Sequence, residues 1–331
     1  MRRIVGFVLL GLGAFLLTMS LLLKVYAYPT LAVAPIDHKS ISTSVGEDMT
    51  YISKAQRAEV TDTLTSTLNV IGDVKAAQEE GDNVAVWNKA TATQTSDGTV
   101  ISTETIRVAF DRTTGEAVDC DDCYTQSDED PPVPTKFEGL NFKFPFNTQK
   151  HSYDWWDGDL GRTVPIAYDG VEKVDGLTTY RFTQTIEPEQ LPTTLDVPSK
   201  ILGEPAGQMV TTEQWYSNER VYNVEPETGV IIKAVESPST VLMVDGVQRA
   251  IKTQGTTGYT DETIKDNIEE YKDKAAQLRL IRLILPLAGL ILGLLFVLVG
   301  AVVVILARRN DVDSLDEQFD DVELPQHHQT I

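Results

Sequence analysis

Residues 168–186 read YDGVEKVDGLTTYRFTQTI, and this stretch decides the fold of the central part of the chain. Apolar and polar side chains alternate on both sides of the pair Asp175-Gly176. Alternation with a period of two is typical of a strand, and an Asp-Gly pair between two such runs predicts a two-residue hairpin turn. Asp245-Gly246 stands between STVLMV and VQRAIKT in the same way. The sequence therefore predicts a mainly β, antiparallel fold built from hairpins.

The same pattern extends over most of residues 25–258. TETIRVAF (103–110) alternates and precedes the turn sequence DRTTGE, and RVYNVEP and GVIIKAVE flank ETG within 220–236. We expect roughly ten or more strands. Two Pro-rich acidic segments, 128–139 and 187–208, are predicted connectors. They divide the sequence into blocks 25–127, 140–186 and 209–258, which are either separate domains or parts of one curved sheet.

Two apolar segments lie near the ends of the chain, and neither Ile4–Leu23 nor Leu283–Ala307 contains a charged residue. A helix rises about 1.5 Å per residue, so each segment can cross about 30 Å of hydrocarbon. We predict transmembrane helices at 4–24 and 283–307. A cleaved signal peptide ending at Ala27 is the alternative for the first segment, but its length and Lys24 favour a retained signal anchor.

The flanking charges predict the topology. Arg2 and Arg3 precede the first apolar segment, and Arg308 and Arg309 follow the second. Short cytoplasmic flanks are rich in Lys and Arg, so we expect residues 1–3 and 308–331 to be cytoplasmic at a plasma membrane and the middle to be exported. The tail 308–331 is acidic and poor in apolar residues, which predicts disorder. The chain has a net charge of −21, mostly in the middle, which excludes nucleic acid as a natural partner.

A helix is predicted at 259–282, leading into the second membrane segment. Its apolar side chains follow a helical spacing, with Thr260 as N-cap and a Glu270–Lys274 pair one turn apart. The stripe covers about two heptads, which is too short for an autonomous coiled coil. Packing against the β domain and self-association are the two interpretations of this stalk helix.

The two cysteines, Cys120 and Cys123, stand in DCDDC. In an exported domain without a second pair or a thioredoxin-like pattern, we expect a local structural disulfide between them. The acidic clusters DCDDC, SDED and DWWDGD offer carboxylates for calcium, but none has the spacing of a known calcium loop. We therefore expect no metal and no cofactor.

Motifs of catalysis are missing from the sequence. It contains no G-x-S-x-G, no H-E-x-x-H and no phosphate-binding glycine loop, and the exported part has only His38 and His151. We expect no catalytic residues and no enzyme activity.

The stretch HSYDWWDGDLGR (151–162) holds the candidate ligand contacts, Trp155 and Trp156 with Asp154, Asp157 and Asp159. An aromatic face beside carboxylate acceptors suits a sugar ring. Neighbouring side chains of a strand point to opposite faces, so at most one tryptophan is expected in any one pocket. The other interpretation is a structural junction in which the tryptophans serve the core.

Three stretches carry a resemblance to a known family: VAVWNKATATQTSDGTVISTETIRVAFDRTTGEAVDC (84–120), FKFPFNTQKHSYDWWDGDLGRTVPIAYDGVEKVDGLTTYRFTQ (142–184) and TTEQWYSNERVYNVEPETGVII (211–232). They resemble an actinobacterial two-helix membrane-protein family of unknown function that is labelled porin PorA. The resemblance implies a place in the cell envelope and a link to lipoglycan assembly or transport, and it defines no catalytic residues. The residues do not favour a membrane barrel, because strands such as TTYRFTQTI would place Thr, Arg or Gln against lipid.

Two functional hypotheses follow. In the first, a non-catalytic exported β domain binds or handles an envelope lipid, a lipoglycan or a membrane-protein partner. In the second, an envelope carbohydrate-active enzyme uses the acids around 154–159, which predicts two carboxyl groups roughly 5–10 Å apart in a cleft. A scaffold or pore component is a third alternative.

Overall fold

The computed structural model describes residues 2–205 and 207–320, with side chains as far as Arg308. The chain falls into two compact units, Met1–Leu31 with Gln277–Ile331, and Ala32–Ala276. We call them the helical unit and the sheet unit. The α-helices are α1 (Arg2–Leu22), α2 (Tyr28–Leu31), α3 (Val74–Glu80), α4 (Asp261–Arg279) and α5 (Leu285–Asp320).

The helical unit is built on close contact between α1 and α5. Both are long and apolar enough to cross a membrane, as predicted. Gly6 faces Gly300, and Gly13 faces Gly293, so the two helices run antiparallel. A Cβ atom at Gly13 would lie only 2.7 Å from the carbonyl oxygen of Gly293. Small residues let membrane helices approach to backbone contact, and this pair uses them in that way.

Each long helix is interrupted by a π-helical turn. Leu23–Ala27 forms the N-terminal π turn and Leu280–Ile284 the C-terminal π turn, and the N–H closing each turn donates to the carbonyl five residues earlier. Pro29 and Pro286 each stand two residues after the last residue of a turn. A proline lacks an N–H and its ring clashes with the carbonyl four residues before it, so the wider turn relieves the clash. The first helix therefore continues to Leu31, beyond the predicted end at residue 24.

The C-terminal segment also differs from its prediction. Helix α5 continues to Asp320, so residues 308–320 are helical where the sequence predicted disorder. This part of the chain contains no glycine or proline, and nothing in its backbone chemistry ends the helix. The rest of the predicted tail, 321–331, lies outside the described residues.

The sheet unit contains a 14-stranded sheet in which neighbouring strands are antiparallel. This confirms the predicted fold class. The strands are β1 (Lys39–Ser53), β2 (Ala58–Gly72), β3 (Val84–Gln94), β4 (Val100–Asp111), β5 (Tyr124–Ser127), β6 (Val133–Pro134), β7 (Tyr153–Asp157), β8 (Arg162–Val174), β9 (Leu177–Pro198), β10 (Met209–Val224), β11 (Ile231–Glu236), β12 (Ser239–Val244), β13 (Val247–Gln254) and β14 (Thr257–Tyr259).

Hairpins order most of the sheet. The path runs β6-β5-β4-β3-β2-β1-β13-β12-β10-β9-β8-β7, while β11 and β14 bridge β10 and β1 beside β12 and β13. Asp175 and Gly176 have φ of 45° and 86°, and Asp245 and Gly246 have 51° and 74°. Two successive positive φ angles are the signature of a type I′ turn. Both Asp-Gly hairpins, β8–β9 and β12–β13, are therefore confirmed.

One predicted connector is wrong. Residues 187–198 are not a linker but the second half of β9, which pairs with β10 along its whole length. Pro188 and Pro192 fall at the two register shifts of this pairing, between Tyr216 and Asn218 and between Glu213 and Trp215. A bulge tolerates the N–H that proline lacks, so the strand continues through both. The other connector, 128–139, contains only the short β6.

Isolated bridges connect β4, which lies near one end of the strand path, to β7 at the other end. Phe110 of β4 pairs with Ala117, Glu116 pairs with Leu140, and Leu140 pairs with Trp155 of β7. The N–H of Leu140 donates to the carbonyl of Asp154 at 2.8 Å, and the N–H of Trp156 donates back to Leu140 at 2.9 Å. These closing bridges complete a hydrogen-bonded ring. The predicted blocks are thus parts of one sheet, and we call the side turned into the ring the inner face.

The apolar stripe of helix α4 packs against the sheet. Ile264, Ile268 and Tyr271 pack against Val174 and Ile232 of the sheet. The predicted N-cap is present, since Thr260 Oγ1 accepts the N–H of Thr263, and the predicted Glu270–Lys274 pair is present at 2.7 Å. The stripe of the described helix therefore packs on the β domain.

We predict that Gly13→Leu weakens the pairing of α1 with α5, while Gly11→Leu leaves it intact. The added side chain at Gly13 would overlap Gly293 and Val297, whereas a Cβ at Gly11 meets nothing within 4 Å. Overpacking of this kind costs about 1–3 kcal/mol. Unfolding of the full chain by SDS, followed through its helical circular dichroism, measures the effect. Equal midpoints for the two variants would contradict the contact.

Candidate functional site

Strand β7 carries the two tryptophans of the candidate site and separates them. Trp155 is buried, with ring centroids 5.4 Å from Phe144 and 5.2 Å from Tyr222. Trp156 is half-buried and packs against Phe137 at 5.2 Å, in a different cluster. Because the side chains of a strand alternate, the two rings face opposite sides and do not share a pocket.

The three acids of the candidate site also separate. Asp154 is exposed and borders an open depression of about 430 Å³ together with Asp119 and Glu138. Asp157 is completely buried on the inner face. Asp159 lies in the turn between β7 and β8. The structure thus brings Asp157 and Asp159 to one region and places Asp154 elsewhere.

Arg220 of β10 is the centre of a buried polar network on the inner face. Its Nη2 lies 2.7 Å from Asp157 Oδ2, and its Nε lies 2.9 Å from Glu236 Oε2. Its Nη1 donates to Gln184 Oε1 at 2.6 Å. The residue is only 8% exposed. One guanidinium therefore neutralises two carboxylates from different strands, which a buried charge requires.

Three more side chains complete this Arg220 network. Tyr216 Oη donates to Asp157 Oδ2 at 3.0 Å, Tyr222 Oη donates to Glu236 Oε1 at 2.5 Å, and Asn218 Nδ2 donates to Glu236 Oε2 at 3.2 Å. The Asn218 Oδ1 atom is buried and accepts no hydrogen bond from the described residues. Buried acceptors are normally satisfied, so this oxygen suits an ordered water.

The electrostatics keep the network charged. Burial alone would lower the pKa of Arg220, but the negative charges, that of Glu236 first, outweigh it and raise this pKa. Burial alone would raise the pKa of Glu236, but the adjacent guanidinium lowers it below its ordinary value. The raised pKa of Arg220 and the lowered pKa of Glu236 both favour the charged form of the side chain. Glu236 keeps 31% of its side-chain surface accessible, so it forms the edge of the network that water can reach.

A second polar group lies beside this network. Lys252 Nζ donates to Gln214 Oε1 at 2.6 Å, and burial lowers the pKa of Lys252. Asp159 retains accessible surface, yet protein surrounds its carboxyl on most sides. This crowding, and next the charge of Asp157, raises the pKa of Asp159 to about 6, which Lys252 opposes. The negative charge of Glu104, on strand β4 of the closed sheet, also raises the pKa of Asp159.

The sequence interpretation missed Arg220, Glu236 and Lys252, which belong to strands far along the chain from DWWDGD. A signal was present in TTEQWYSNERVY (211–222), where every second residue from Thr212 to Tyr222 is polar or aromatic. All of these alternate residues are buried. Alternation of this kind predicts a strand with one polar face, but it does not reveal that the face is enclosed.

The disulfide prediction is confirmed, since Cys120 and Cys123 are bonded. The loop packs on β4, where the N–H of Ala109 donates to Cys123 Sγ at 3.3 Å. Within the described part of the chain, Glu80, Cys120 and Asp122 come close enough to offer three metal ligands. The Cys120 sulfur is held in the disulfide and has no thiolate to offer, so this group does not fit a metal.

Lys143 is a buried side chain that no sequence motif marked. Its Nζ donates to the carbonyl of Phe144 at 2.6 Å and lies 4.0 Å from the ring centroid of Phe146. Burial lowers its pKa to about 7, while the charge of Asp111 opposes this shift. The residue is 5% exposed, which removes it from contact with a solute.

We predict that Arg220→Met destabilises the sheet unit by about 3–5 kcal/mol, because it leaves Asp157 and Glu236 buried without their counter-charge. Arg162→Met is the matched control, since the Arg162–Glu189 pair is exposed and such pairs contribute about 1 kcal/mol or less. Denaturant unfolding of the full chain in detergent, followed by tryptophan fluorescence, measures both. Similar losses in the two variants would show that the Arg220 network does not hold the fold.

We predict that Lys143→Met changes the pH dependence of stability. Between pH 7 and 10.5 the unfolded chain holds a proton on Lys143 that the folded chain lacks, so wild-type stability rises with pH in this window. The variant lacks this contribution. Its stability relative to wild type should therefore be highest near pH 7 and fall as the pH rises to 9.5. Lys75→Met, at an exposed site, should show no such trend. A pH-independent difference for Lys143→Met would contradict the shift.

Comparison with known proteins gives the family. Residues 5–302 match the family model described as Porin PorA. The chain is 26% identical over 299 residues to the protein named Porin PorA of Corynebacterium amycolatum, covering 71% of this chain and 77% of that protein. It is 40% identical over 53 residues to Porin PorA of Corynebacterium resistens, covering 16% of this chain and 13% of that protein. With its two membrane-spanning candidates, the chain belongs to the porin PorA family.

Proposed function

We propose that this protein is a binding protein of the actinobacterial cell envelope. Two helices anchor it in the plasma membrane with both termini in the cytoplasm, and the exported sheet unit binds the glycan part of an envelope lipoglycan without chemical change. The observation that carries this proposal is the polar inner face, where the Arg220 network adjoins Asp159, Lys252 and Gln214.

The topology rests on the flanking charges. Arg2 and Arg3 precede the first apolar segment, and Arg308 and Arg309 follow the second. The positive-inside rule then assigns both termini to the cytoplasm. The sheet unit with its disulfide is exported in this arrangement, and an oxidising exterior suits that bond.

The inner face suits a polyhydroxylated ligand. A sugar presents hydroxyl groups that both donate and accept, together with apolar ring faces. Lys252 offers a donor and Glu236 offers an acceptor, and both keep accessible surface. Trp155, Tyr222 and Asn218 are buried in the same ring and support these two side chains rather than contact the ligand. An acyl chain would instead need an apolar channel. The glycan is therefore the better match for this surface than the lipid.

Binding is favoured over hydrolysis by the state of the acids. Asp157 Oδ1 accepts the N–H of Leu160 at 2.8 Å, and Oδ2 accepts from Arg220 and Tyr216. A glycosidase needs two carboxyl groups that flank the scissile bond. Asp154 is on the opposite face and Asp157 is fully engaged, so Asp159 is left without a second free carboxyl among the candidate acids.

A pore is the second candidate, since the family and both relatives carry the name porin. A membrane barrel needs a continuous apolar band on its outer face. The described strands expose seven large apolar residues, which are too few for such a band: Ile41, Ile71, Val100, Val133, Val171, Met209 and Val247. The strands of this chain thus do not favour a lipid-embedded barrel. Channel activity of the purified full chain in planar bilayers would reverse this order of candidates.

We predict that the full chain, extracted in detergent from an actinobacterial host, carries a bound glycan detectable by mass spectrometry. The double variant Asp159→Asn with Lys252→Met should retain about tenfold less, corresponding to roughly 1.4 kcal/mol of lost contacts. The control is Asp169→Asn with Arg181→Met, which removes an exposed ion pair. A wild-type protein free of glycan, or equal retention by both variants, would reject the proposal. A shortened glycan made by the wild type but not by Asp159→Asn would indicate an enzyme instead.

A further inference from the structure

The two π turns of the helical unit lie in contact with each other. Each turn stands at the end of its apolar helix that is nearer in sequence to the sheet unit. The N-terminal π turn (Leu23–Ala27) contacts the C-terminal π turn (Leu280–Ile284). π-Helical turns inside α-helices are rare and are frequent at functional sites. Two π turns in contact therefore indicate a candidate binding site at this position of the helical unit.

Three cations surround the paired turns. Lys24 lies in the first turn, Arg282 lies in the second, and Arg279 directly precedes the second. Lys24 and Arg279 are exposed, and Arg282 is half-buried. Residues 2–31 and 277–308 contain no aspartate or glutamate. The helical unit therefore supplies three positive charges here and no carboxylate of its own within these ranges, in contrast to the acidic sheet unit.

Apolar side chains stand beside the cations. Val25 is 65% exposed, and Leu283 and Ile284 are 44% and 49% exposed. Tyr26 is 71% exposed, which is typical of an aromatic residue at a membrane interface. A free phosphate or an acidic peptide would leave this apolar surface in water. A phospholipid matches both features, since its acyl chains cover the apolar residues while its phosphate meets the cations.

The prolines add a hydrogen-bonding feature. Pro29 and Pro286 each remove one N–H donor from the helix that follows its π turn. In the N-terminal turn a hydroxyl already acts as a donor, since Thr30 Oγ1 donates to the carbonyl of Tyr26 at 2.7 Å. An unpaired carbonyl at the membrane boundary is costly, and a hydroxyl group can donate to it. A headgroup with both phosphate and hydroxyl groups satisfies cations and carbonyls together.

We propose that the paired π turns form a binding site for the headgroup of an anionic, hydroxyl-bearing phospholipid. The phosphate lies among Lys24, Arg279 and Arg282, and the hydroxyls donate to carbonyls of the turns. This site is in the helical unit, and it is independent of the glycan site proposed on the inner face.

The test uses the full chain reconstituted in equimolar phosphatidylcholine and phosphatidylglycerol, followed by detergent extraction and native mass spectrometry of retained lipid. The wild type should retain phosphatidylglycerol in preference to phosphatidylcholine. A cation near an anionic surface contributes about fivefold in affinity, so Lys24→Gln, Arg279→Gln and Arg282→Gln combined should lower retention about a hundredfold. The control variant, Lys75→Gln, Lys200→Gln and Lys272→Gln, removes the same charge from the sheet unit and should retain the lipid.

Three results would overturn the proposal. Equal retention of both lipids by the wild type would show that the site does not select an anionic headgroup. Equal losses of lipid in the two triple variants would show that retention depends only on the net charge of the protein. Displacement of the lipid by millimolar inorganic phosphate would identify a phosphate site rather than a lipid site. Loss of the glycan with retained lipid would count against the inner-face proposal alone, so the two proposals fail separately.

Discussion

The structure of the sheet unit depends on the ion pair between Arg220 and Asp157. Asp157 ends β7 and begins the turn to β8, while Arg220 lies on β10, so the pair fixes the tip of one hairpin to the inner face of a strand far away in sequence. Its desolvation is offset because Glu236, Gln184 and Tyr216 satisfy the remaining hydrogen-bonding groups. With the tip held there, Trp155 and Trp156 meet Leu140 and the closing bridges complete the ring. The ion pair thus connects the polar network to the strand that closes the ring.

The local features of the fold could be predicted from the sequence, because they depend on neighbouring residues. Asp175-Gly176 and Asp245-Gly246 specify hairpins through backbone conformation, and Cys120 and Cys123 are close enough to pair without tertiary help. Ring closure could not be predicted in this way. It depends on Leu140 bridging two strands by single pairs, and no periodic pattern marks such a residue. The same holds for Arg220, whose role appears only when its partner at position 157 is known.

The error at 187–198 has a physical lesson. Proline content indicated a connector, yet a strand tolerates proline wherever the partner strand bulges. Pro188 and Pro192 coincide with register shifts on β10, and between them Leu191 stays buried against Tyr216. The position of a bulge is a property of the pair of strands, so one strand read alone gives the wrong answer. The helical unit shows the related effect, because Pro29 and Pro286 produce π turns there rather than helix ends.

The opposite electrostatic character of the two units bears on which ligand each of them would bind. The described membrane helices up to Arg308 carry cations without acids, whereas the sheet unit is acidic, and the cations Arg220 and Lys252 of its inner face are held by hydrogen-bonding partners. A phosphate near an acidic surface is repelled, while neutral hydroxyl groups are not. The cations of the helical unit therefore suit an anionic headgroup, and the inner face of the sheet unit suits a neutral glycan. The charge of each unit thus selects a different class of ligand, and each site is tested by itself.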